Sequence, residues 1–171
     1  YIDFEKRTAI KSQVLADFVV DSTSPTFDIE APIEPWTVHC DGAWCNEGVG
    51  VAAIIQSPSG TKLRYAARLE FSDPDPCTNN TTEYEALLLG LMKMKALGHP
   101  NFVIKSDSKV ITDHVEKESE VKKPEMKMYL DAVRAMEKYF KGFTAIHIPR
   151  SQNEEADKLA KAVARKEPLP P

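Results

Sequence analysis

The order of strand-like and helix-like segments after residue 36 is the feature that most constrains the fold of this chain. Three segments with strand character come first, and helices then alternate with two further strands. In residues 61–71, apolar and polar side chains alternate, as in a strand with one buried face. The turn signal Pro58-Ser59-Gly60 separates this strand from the one predicted over residues 48–57, so the two are expected to be antiparallel. The string βββ-α-β-α-α-β-α predicts an α/β fold, a mixed sheet with helices packed on it.

Apolar periodicity and turn residues define the other elements of this string. Further strands are predicted over residues 36–41, 102–104 and 143–148, and helices over 81–97, from 108 to about 118, from Pro124 onward and over 151–165. We expect the first strand to end in an Asp41-Gly42 turn. Gly98 is expected to end the first helix, and the Ser151-x-x-Glu154 pattern predicts a capping box for the last one.

The segment before residue 36 has a different character. Residues 8–20 show helical spacing of apolar side chains and predict a short amphipathic helix. Residues 21–35 contain three prolines and few helix formers, so they are interpreted as a linker. We therefore predict an N-terminal region over 1–35, a domain over 36–166 and a disordered tail over 167–171. The absence of an initiator Met suggests a piece of a longer chain.

Composition restricts the class of protein. The apolar runs are far shorter than the roughly 20 residues of a membrane span, so no membrane association is expected. Three cysteines without a C-x-x-C pair argue against a zinc site or a disulfide framework and favour a reducing, cytoplasmic location. The net charge of −4 is unusual for a nucleic-acid enzyme and predicts weak substrate affinity for the isolated domain. A neighbouring domain is then expected to supply part of the grip.

Four carboxylates carry the chemical signal of the sequence. Asp41 and Asp107 follow apolar strands, and Glu83 and Asp157 fall near the starts of two helices. If the two strands are neighbours, all four acids reach the same edge of the sheet. Oxygen ligands of this kind suit Mg²⁺ or Mn²⁺, and a pair of such ions about 4 Å apart promotes in-line displacement at a phosphodiester.

Each acid also has a purely structural interpretation when it is taken alone. Asp41 fits a turn residue, Glu83 a capping-box partner of Asn80, Asp107 a helix cap, and Asp157 a charge favoured by the helix dipole. Glu85 is the rival of Glu83 as a ligand, but two residues along a helix turn it roughly 200° away. Glu85 is therefore predicted to be exposed.

The local sequences around the acids resemble type I ribonuclease H over residues 36–166. The matching frames are Asp41-Gly42-Ala43, Asn79-Asn80-Thr81-Thr82-Glu83, Ser106-Asp107-Ser108 and Asn153-Glu154-Glu155-Ala156-Asp157-Lys158-Leu159-Ala160. More narrowly, Asn79-Asn80-x-x-Glu83-Tyr84-Glu85-Ala86-Leu87 and Ile148-Pro149-Arg150-x-x-Asn153 are similar to the ribonuclease H domain of plant gypsy-class retrotransposons. Residues 7–18 are similar to the end of the connection that joins a reverse transcriptase to that domain.

This resemblance implies a ribonuclease H-like fold, with a five-stranded mixed sheet and helices on both faces. It implies that Asp41, Glu83, Asp107 and Asp157 are both catalytic and metal-ligating, holding two Mg²⁺ (or Mn²⁺) ions, and that the chain hydrolyses the RNA strand of RNA–DNA hybrids. By the same resemblance Asp41 bridges the ions, Glu83 and Asp107 hold the one that generates the nucleophile, and Asp157 helps to hold the other. The implied substrate-binding residues are Gly42, Ala43, Asn79, Asn80, Ser108, Arg150 and Asn153. The implied partners are the hybrid and a reverse transcriptase domain of the parent polyprotein, with the isolated domain a monomer and virus-like particles a possible setting.

Two departures from that family pattern leave alternatives open. The connection from Ile148 to Asn153 is too short for the mobile histidine loop of many relatives, and Arg150 stands nearest that place, while His147 is not assigned the role. A basic protrusion is weak or missing in residues 115–128. The competing hypotheses are an inactive structural module of a reverse transcriptase and another nuclease of the same fold, such as an integrase or resolvase.

The remaining candidates for a substrate surface are two tryptophans and two lysines. Trp36 and Trp44 are interpreted as packing residues rather than stacking platforms. Lys158 and Lys161 lie one helical turn from Asp157, where they either steer phosphate or pair with Glu154 and Glu155.

Overall fold

The computed structural model describes residues 3–8, 12–22, 34–71, 79–98, 101–116 and 124–169. The strands within these ranges form a single sheet in the order β1-β2-β5-β4-β3-β6-β7. Their bounds are β1 Asp3–Thr8, β2 Ser12–Ser22, β3 Trp36–Cys45, β4 Gly48–Gln56, β5 Lys62–Phe71, β6 Asn101–Ser106 and β7 Gly142–His147. No helix within the described ranges is long and apolar enough to cross a membrane.

The helices follow the predicted order. Their bounds are α1 Asn79–Leu97, α2 Lys109–Glu116, α3 Pro124–Glu137 and α4 Glu154–Ala164, with a short 3-10 helix at Arg150–Gln152. Gly98 ends α1 as predicted, because its φ of 77° is a left-handed conformation and its N–H donates to the carbonyls of Met94 and Lys95. Pro124 is the first residue of α3, a position where its missing N–H costs no helical hydrogen bond.

The strands β3 to β7 form the mixed five-stranded sheet that was predicted. β3, β4 and β5 pair antiparallel, and β6 and β7 pair parallel to β3 and to each other. This direction follows from the connections. The two-residue turn between β3 and β4 and the five-residue turn between β4 and β5 return the chain antiparallel, whereas the helices between β3 and β6 and between β6 and β7 provide crossovers.

The helix predicted over residues 8–20 is wrong. Two strands, β1 and β2, occupy that part of the chain, and β2 pairs antiparallel with β5 from Ser12↔Phe71 to Ser22↔Leu63. The physical reason is the free edge of β5, whose unpaired backbone groups attract another strand, together with the strand-favouring pair Val19-Val20. The sheet thus includes residues before the domain start predicted at residue 36. Residues 23–33 of the predicted linker lie outside the described residues.

Helices cover both faces of the sheet, as predicted. One face packs against α1, α2 and α3 around buried residues such as Val38, Phe102 and Ile104. The other packs against α4 through a smaller cluster in which Leu159 meets Ala66. At about 25 cal/mol per Å² of apolar surface, burial of one leucine side chain stabilises the fold by about 2 kcal/mol. The predicted disordered tail is wrong at Leu169, which packs against this second cluster, whereas residues 170–171 lie outside the described residues.

The small residues of β4 determine how closely α4 approaches. A Cβ on Gly50 would lie 2.2 Å from the carbonyl oxygen of Ala160 and 2.7 Å from the backbone nitrogen of Ala164. The backbones of β4 and α4 are therefore nearly in contact, and no side chain other than hydrogen fits between them. This contact fixes the depth at which α4 lies against the sheet.

Candidate active site

The register of the two central parallel strands brings Asp41 and Asp107 together. β3 and β6 pair from Trp36↔Phe102 to Cys40↔Ser106, and the next residue on each chain is an aspartate. The predicted Asp41-Gly42 turn is wrong, because β3 continues to Cys45 and Gly42 pairs with Val51 of β4. Asp41 is thus a residue of the strand itself. Because β6 ends beside it, Asp41 lines the cavity at this edge of the sheet.

Glu83 reaches the same place because α1 lies directly on Gly42. A Cβ on Gly42 would come within 2.5 Å of Thr82 Cγ2 and 3.0 Å of the Thr82 backbone, so only glycine allows this approach. The Gly42 N–H points at both acids, with Asp41 Oδ1 at 3.0 Å and Glu83 Oε1 at 3.4 Å. The sequence frame Asp41-Gly42 therefore has a packing reason: the glycine makes room for the helix that carries the second acid.

Asp157 is delivered by α4, whose start differs from the prediction. The helix begins at Glu154, after the 3-10 helix that contains Ser151, so the predicted capping box is wrong. Asn153 occupies the cap position without a side-chain cap, because its Nδ2 donates instead to the carbonyl oxygen of Cys40 at 2.9 Å. That hydrogen bond ties the start of α4 to the strand that carries Asp41. Asp157 also pairs with Lys161, with 2.9 Å between Nζ and Oδ2.

The three acids Asp41, Glu83 and Asp107 have the geometry of a divalent-cation site. One carboxylate oxygen from each lies within 4.8 Å of the others. The second oxygen of Glu83 is buried and has no hydrogen-bond partner among the residues that the structure describes. A buried carboxylate oxygen without a donor is costly, and a hard cation is the partner that oxygen ligands of this kind prefer. The residues present therefore fit a divalent metal.

The electrostatics of the acids agree with that fit. Burial, and next the charge of Asp107, raise the pKa of Asp41 to about 7. Burial, and next the charge of Asp41, raise the pKa of Glu83 to about 9. Burial also raises the pKa of Asp107, although the nearby Arg150 opposes this. Carboxylates this close cannot all ionise cheaply without cations, so metal binding is expected to displace protons from the site.

These acids line one open cavity of about 350 Å³. Five of the residues predicted to bind substrate line it with them: Gly42, Ala43, Asn80, Ser108 and Arg150. Asn79 is the first residue of α1, but its side chain lies outside the described part of the structure. Asn153 does not belong to the cavity. It is 1% exposed and donates a hydrogen bond to the carbonyl of Cys40, so its substrate contact stays a prediction that the cavity does not support.

The sequence reasoning missed a second part of the cavity wall. Trp44, Cys45, Ala164 and Arg165 line it together with Lys161. Trp44 is 56% exposed, so its interpretation as a packing residue is wrong, whereas Trp36 packs against the main core. The spacing Asp157, Lys161, Arg165, four residues at a time, was the signal available in the sequence. It places all three on one side of a helix.

Glu85 is a further correction, since it was predicted to be exposed and is 0% exposed. The Tyr129 hydroxyl of α3 donates to Glu85 Oε1 at 2.6 Å, so the carboxylate joins α1 to α3 on the side away from the acids.

His147 lies at the end of β7 with Nε2 3.2 Å from the main-chain oxygen of Asp107. Lys161 pairs with Asp157, and Glu155 pairs with Lys62 and Arg64 instead of the lysines of α4.

Solved structures that share the fold include two that contain an RNA/DNA hybrid. A ribonuclease H1 called LC11, crystallised with an RNA/DNA hybrid, matches with a TM-score of 0.67 and 23% identity, over 77% of this chain and 97% of that one. The foamy viral protease-reverse transcriptase, also with an RNA/DNA hybrid, matches with a TM-score of 0.59 and 14% identity, over 84% of this chain and 22% of that one. The sheet and helices therefore define a ribonuclease H-like fold, as predicted.

The chain belongs to the reverse transcriptase-like family, whose model matches residues 39–163. Relatives with matching sequences include two that align over 48% of this chain. The bifunctional protein Rv2228c of Mycobacterium tuberculosis is 33% identical over 84 residues, which are 48% of this chain and 23% of that protein. The ribonuclease HI of Halobacterium salinarum is 28% identical over 83 residues, 48% of this chain and 42% of that protein. The chain thus spans less than half the length of these relatives.

Proposed function

We propose that this chain is an endoribonuclease that hydrolyses the RNA strand of RNA–DNA hybrids with two Mg²⁺ ions, which Mn²⁺ can replace. The observation that carries the proposal is the convergence of Asp41, Glu83 and Asp107, whose oxygens lie within 4.8 Å of one another in an open cavity. The relative from Halobacterium salinarum and LC11 are both named ribonuclease H enzymes, and the structures of LC11 and of the foamy viral protein contain an RNA/DNA hybrid.

The residues of the site divide into three roles. Asp41 lies between the other acids and would contact both cations, Glu83 and Asp107 would hold one, and Asp157 would help to hold the second. Bound divalent cations supply an activated water and neutralise the charge of the leaving oxygen. Arg150 lines the cavity and lowers the pKa of Asp107 against the effect of burial, so its charge is placed to attract a phosphate.

We also propose the setting of this activity. The resemblance to gypsy-class retrotransposons and the match to a viral reverse transcriptase favour a ribonuclease H domain of a retroelement polyprotein, inside the cell and with a polymerase domain as partner. Such a partner would compensate for the net charge of −4, which disfavours strong binding of nucleic acid by the chain alone.

The deciding experiment is cleavage of an RNA–DNA hybrid labelled on the RNA strand, with Mg²⁺, with Mn²⁺ and with a chelator. We expect metal-dependent cleavage that Asp107→Asn lowers at least about 100-fold, since even an outer partner of a metal ligand is worth about 10- to 100-fold. The matched control is Asp131→Asn, which removes the same charge from an exposed position of α3 and should retain full activity.

Two results would contradict the proposal. One is the absence of cleavage by the well-folded chain at every metal and salt concentration, which would favour the alternative of an inactive structural module. The other is equal activity of Asp107→Asn and Asp131→Asn, which would place the chemistry elsewhere.

A further inference from the structure

One part of the cavity wall combines an exposed aromatic ring with two cations. Trp44 lies near the end of β3, Lys161 lies on α4, and Arg165 is the residue at the C-terminal cap of α4. Trp44 lies three residue steps along the strand from Asp41, a distance of about 10 Å. Lys161 and Arg165 lie one and two helical turns beyond Asp157, about 6 and 12 Å along the axis.

These distances fit a nucleic-acid strand that crosses the acids. A strand of a duplex carries about one phosphate per 3.4 Å of axis, so Arg165 lies about three phosphate spacings from Asp157. Lys161 is paired with Asp157, whereas Arg165 is exposed and forms none of the ion pairs found among the described residues. The charge of Arg165 lies near the Glu47 carboxylate without forming one of these ion pairs, so its guanidinium can also bind a phosphate.

Arg68 holds the two parts of this wall together. Its guanidinium donates to the carbonyls of Val163 at 3.0 Å and Ala164 at 2.8 Å, which are the last carbonyls of α4. It also donates to the carbonyl of Glu47, in the turn that follows the strand bearing Trp44. One half-buried side chain of β5 thus joins the β3–β4 turn to the C-terminal end of α4. The strand end that carries Trp44 and the helix end that precedes Arg165 are therefore held in a fixed relation, at the cavity that both residues line.

We infer that Trp44 and Arg165 form a substrate grip that binds the sugar–phosphate chain of the strand being cut, to one side of the four acids. The inference rests on the proposed function for the identity of the ligand and goes beyond it in assigning the contact. Aromatic rings on nucleotides and cations on phosphates bind without regard to sequence. The grip supplies affinity in a chain whose 115–128 segment has few of the basic residues expected of a protrusion.

The test measures binding of a fluorescein-labelled RNA–DNA hybrid to the 171-residue chain carrying Asp107→Asn, so that the RNA is not cut. In this background, Trp44→Ala is expected to weaken binding about tenfold, in the range of one lost aromatic stack. Arg165→Ala is expected to lower the slope of log affinity against log salt by about 1. The matched control Lys138→Ala removes a charge of the same sign from an exposed position after α3, outside the cavity, and should leave the slope unchanged.

Tryptophan fluorescence gives a second, independent readout, because Trp36 and Trp44 are the only tryptophans. The hybrid is expected to quench the emission of the parent and of Trp36→Phe, but not that of Trp44→Phe. Thermal unfolding of each variant checks that the fold is retained.

The outcomes for the grip and for the proposed function are distinguishable. Binding by Trp44→Ala and Arg165→Ala equal to that of the parent overturns the grip, even if the native chain cleaves the hybrid. Failure of the parent to bind the hybrid at low salt also overturns it. Binding that depends on both residues supports the grip, even if the native chain does not cleave and the proposed function fails.

Discussion

At the scale of single residues, the acids show that burial and mutual repulsion can raise the pKa of a carboxyl group well above its usual range. Asp41 is 3% exposed, and Glu83 lies against the backbone of Gly42. The pKa of both carboxyls is raised, first by burial and then by the neighbouring acid. The folded protein without metal therefore keeps protons that the unfolded chain has lost at the same pH.

This difference predicts a pH-dependent stability for the metal-free protein. The stabilising contribution is fully present below the ordinary carboxyl pKa of about 4, and it is lost as the pH rises through about 7 for Asp41 and about 9 for Glu83. The thermal midpoint in chelator is thus expected to fall between pH 5 and 9. Glu83→Gln should reduce the fall because the most perturbed acid is removed, and Mg²⁺ should raise the midpoint most at high pH.

The control is Glu154→Gln, an exposed acid in the first turn of α4, which should follow the parent curve. A midpoint that does not change between pH 5 and 9 in chelator would contradict the prediction. So would an equal slope in Glu83→Gln and the parent.

The residues also show where sequence reasoning succeeds. The four acids were predicted from their frames, and the structure brings three of them together and places Asp157 beside Asp41. The prediction that Glu85 is exposed was wrong because its surroundings depend on Tyr129, 44 residues away. No local sequence pattern reveals this contact. The interpretation of Trp44 as a packing residue was wrong for a related reason. A tryptophan next to a strand end is buried or exposed depending on which other elements cover it.

At the scale of elements, α4 is the helix whose placement matters most to the site. It carries Asp157 and Lys161, Arg165 lies at its C-terminal cap, and its approach to the sheet depends on Gly50. The local signals gave its existence and its apolar face. They did not predict its first residue, because the side chain of Asn153 donates a hydrogen bond to the carbonyl of Cys40 and does not cap the helix.

A substitution in β4 tests this dependence. In Gly50→Ala the new Cβ meets backbone atoms of Ala160 and Ala164, which cannot move unless α4 moves. We expect the free energy of unfolding to fall by about 1 to 3 kcal/mol, as in other overpacked cores, and Mg²⁺ affinity to fall because Asp157 is displaced. Urea unfolding and calorimetric titration measure the two effects.

The control for this experiment is Thr144→Ala, at an exposed position of β7. Normal stability together with normal metal affinity in Gly50→Ala would contradict the prediction. It would mean that α4 can lie farther from β4 than in the structure without disturbing the site.

At the scale of the whole molecule, the N-terminal strands are the largest difference from the expected architecture. β2 adds to the edge of β5, so the sheet extends beyond the five strands that the string of elements predicted. Sequence reasoning missed this because residues 8–20 also have helical spacing, and the choice between the two structures depends on an edge supplied more than 40 residues later. The predicted domain over 36–166 stays a prediction.

Removal of the N-terminal region tests that boundary. A chain of residues 34–171 contains β3 to β7 and both core clusters, so we expect it to unfold cooperatively and to keep its metal site. The exposed edge of β5 should make it associate at high concentration, and the β5 amides that face β2 should exchange hydrogen faster. Size-exclusion chromatography and hydrogen exchange measure these effects against the full chain. A truncated chain without cooperative unfolding would place the boundary before residue 34.

The hydrogen bond from Asn153 to Cys40 joins positions 113 residues apart, and this separation has a consequence for synthesis. β3, α1 and β6 leave the ribosome long before α4 does, so three acids can come together while the fourth has not been made. Any product that stops before Asn153 lacks both the tie to β3 and the helix that covers Ala52 and Ala66. Completion of the acid site thus depends on translation reaching α4.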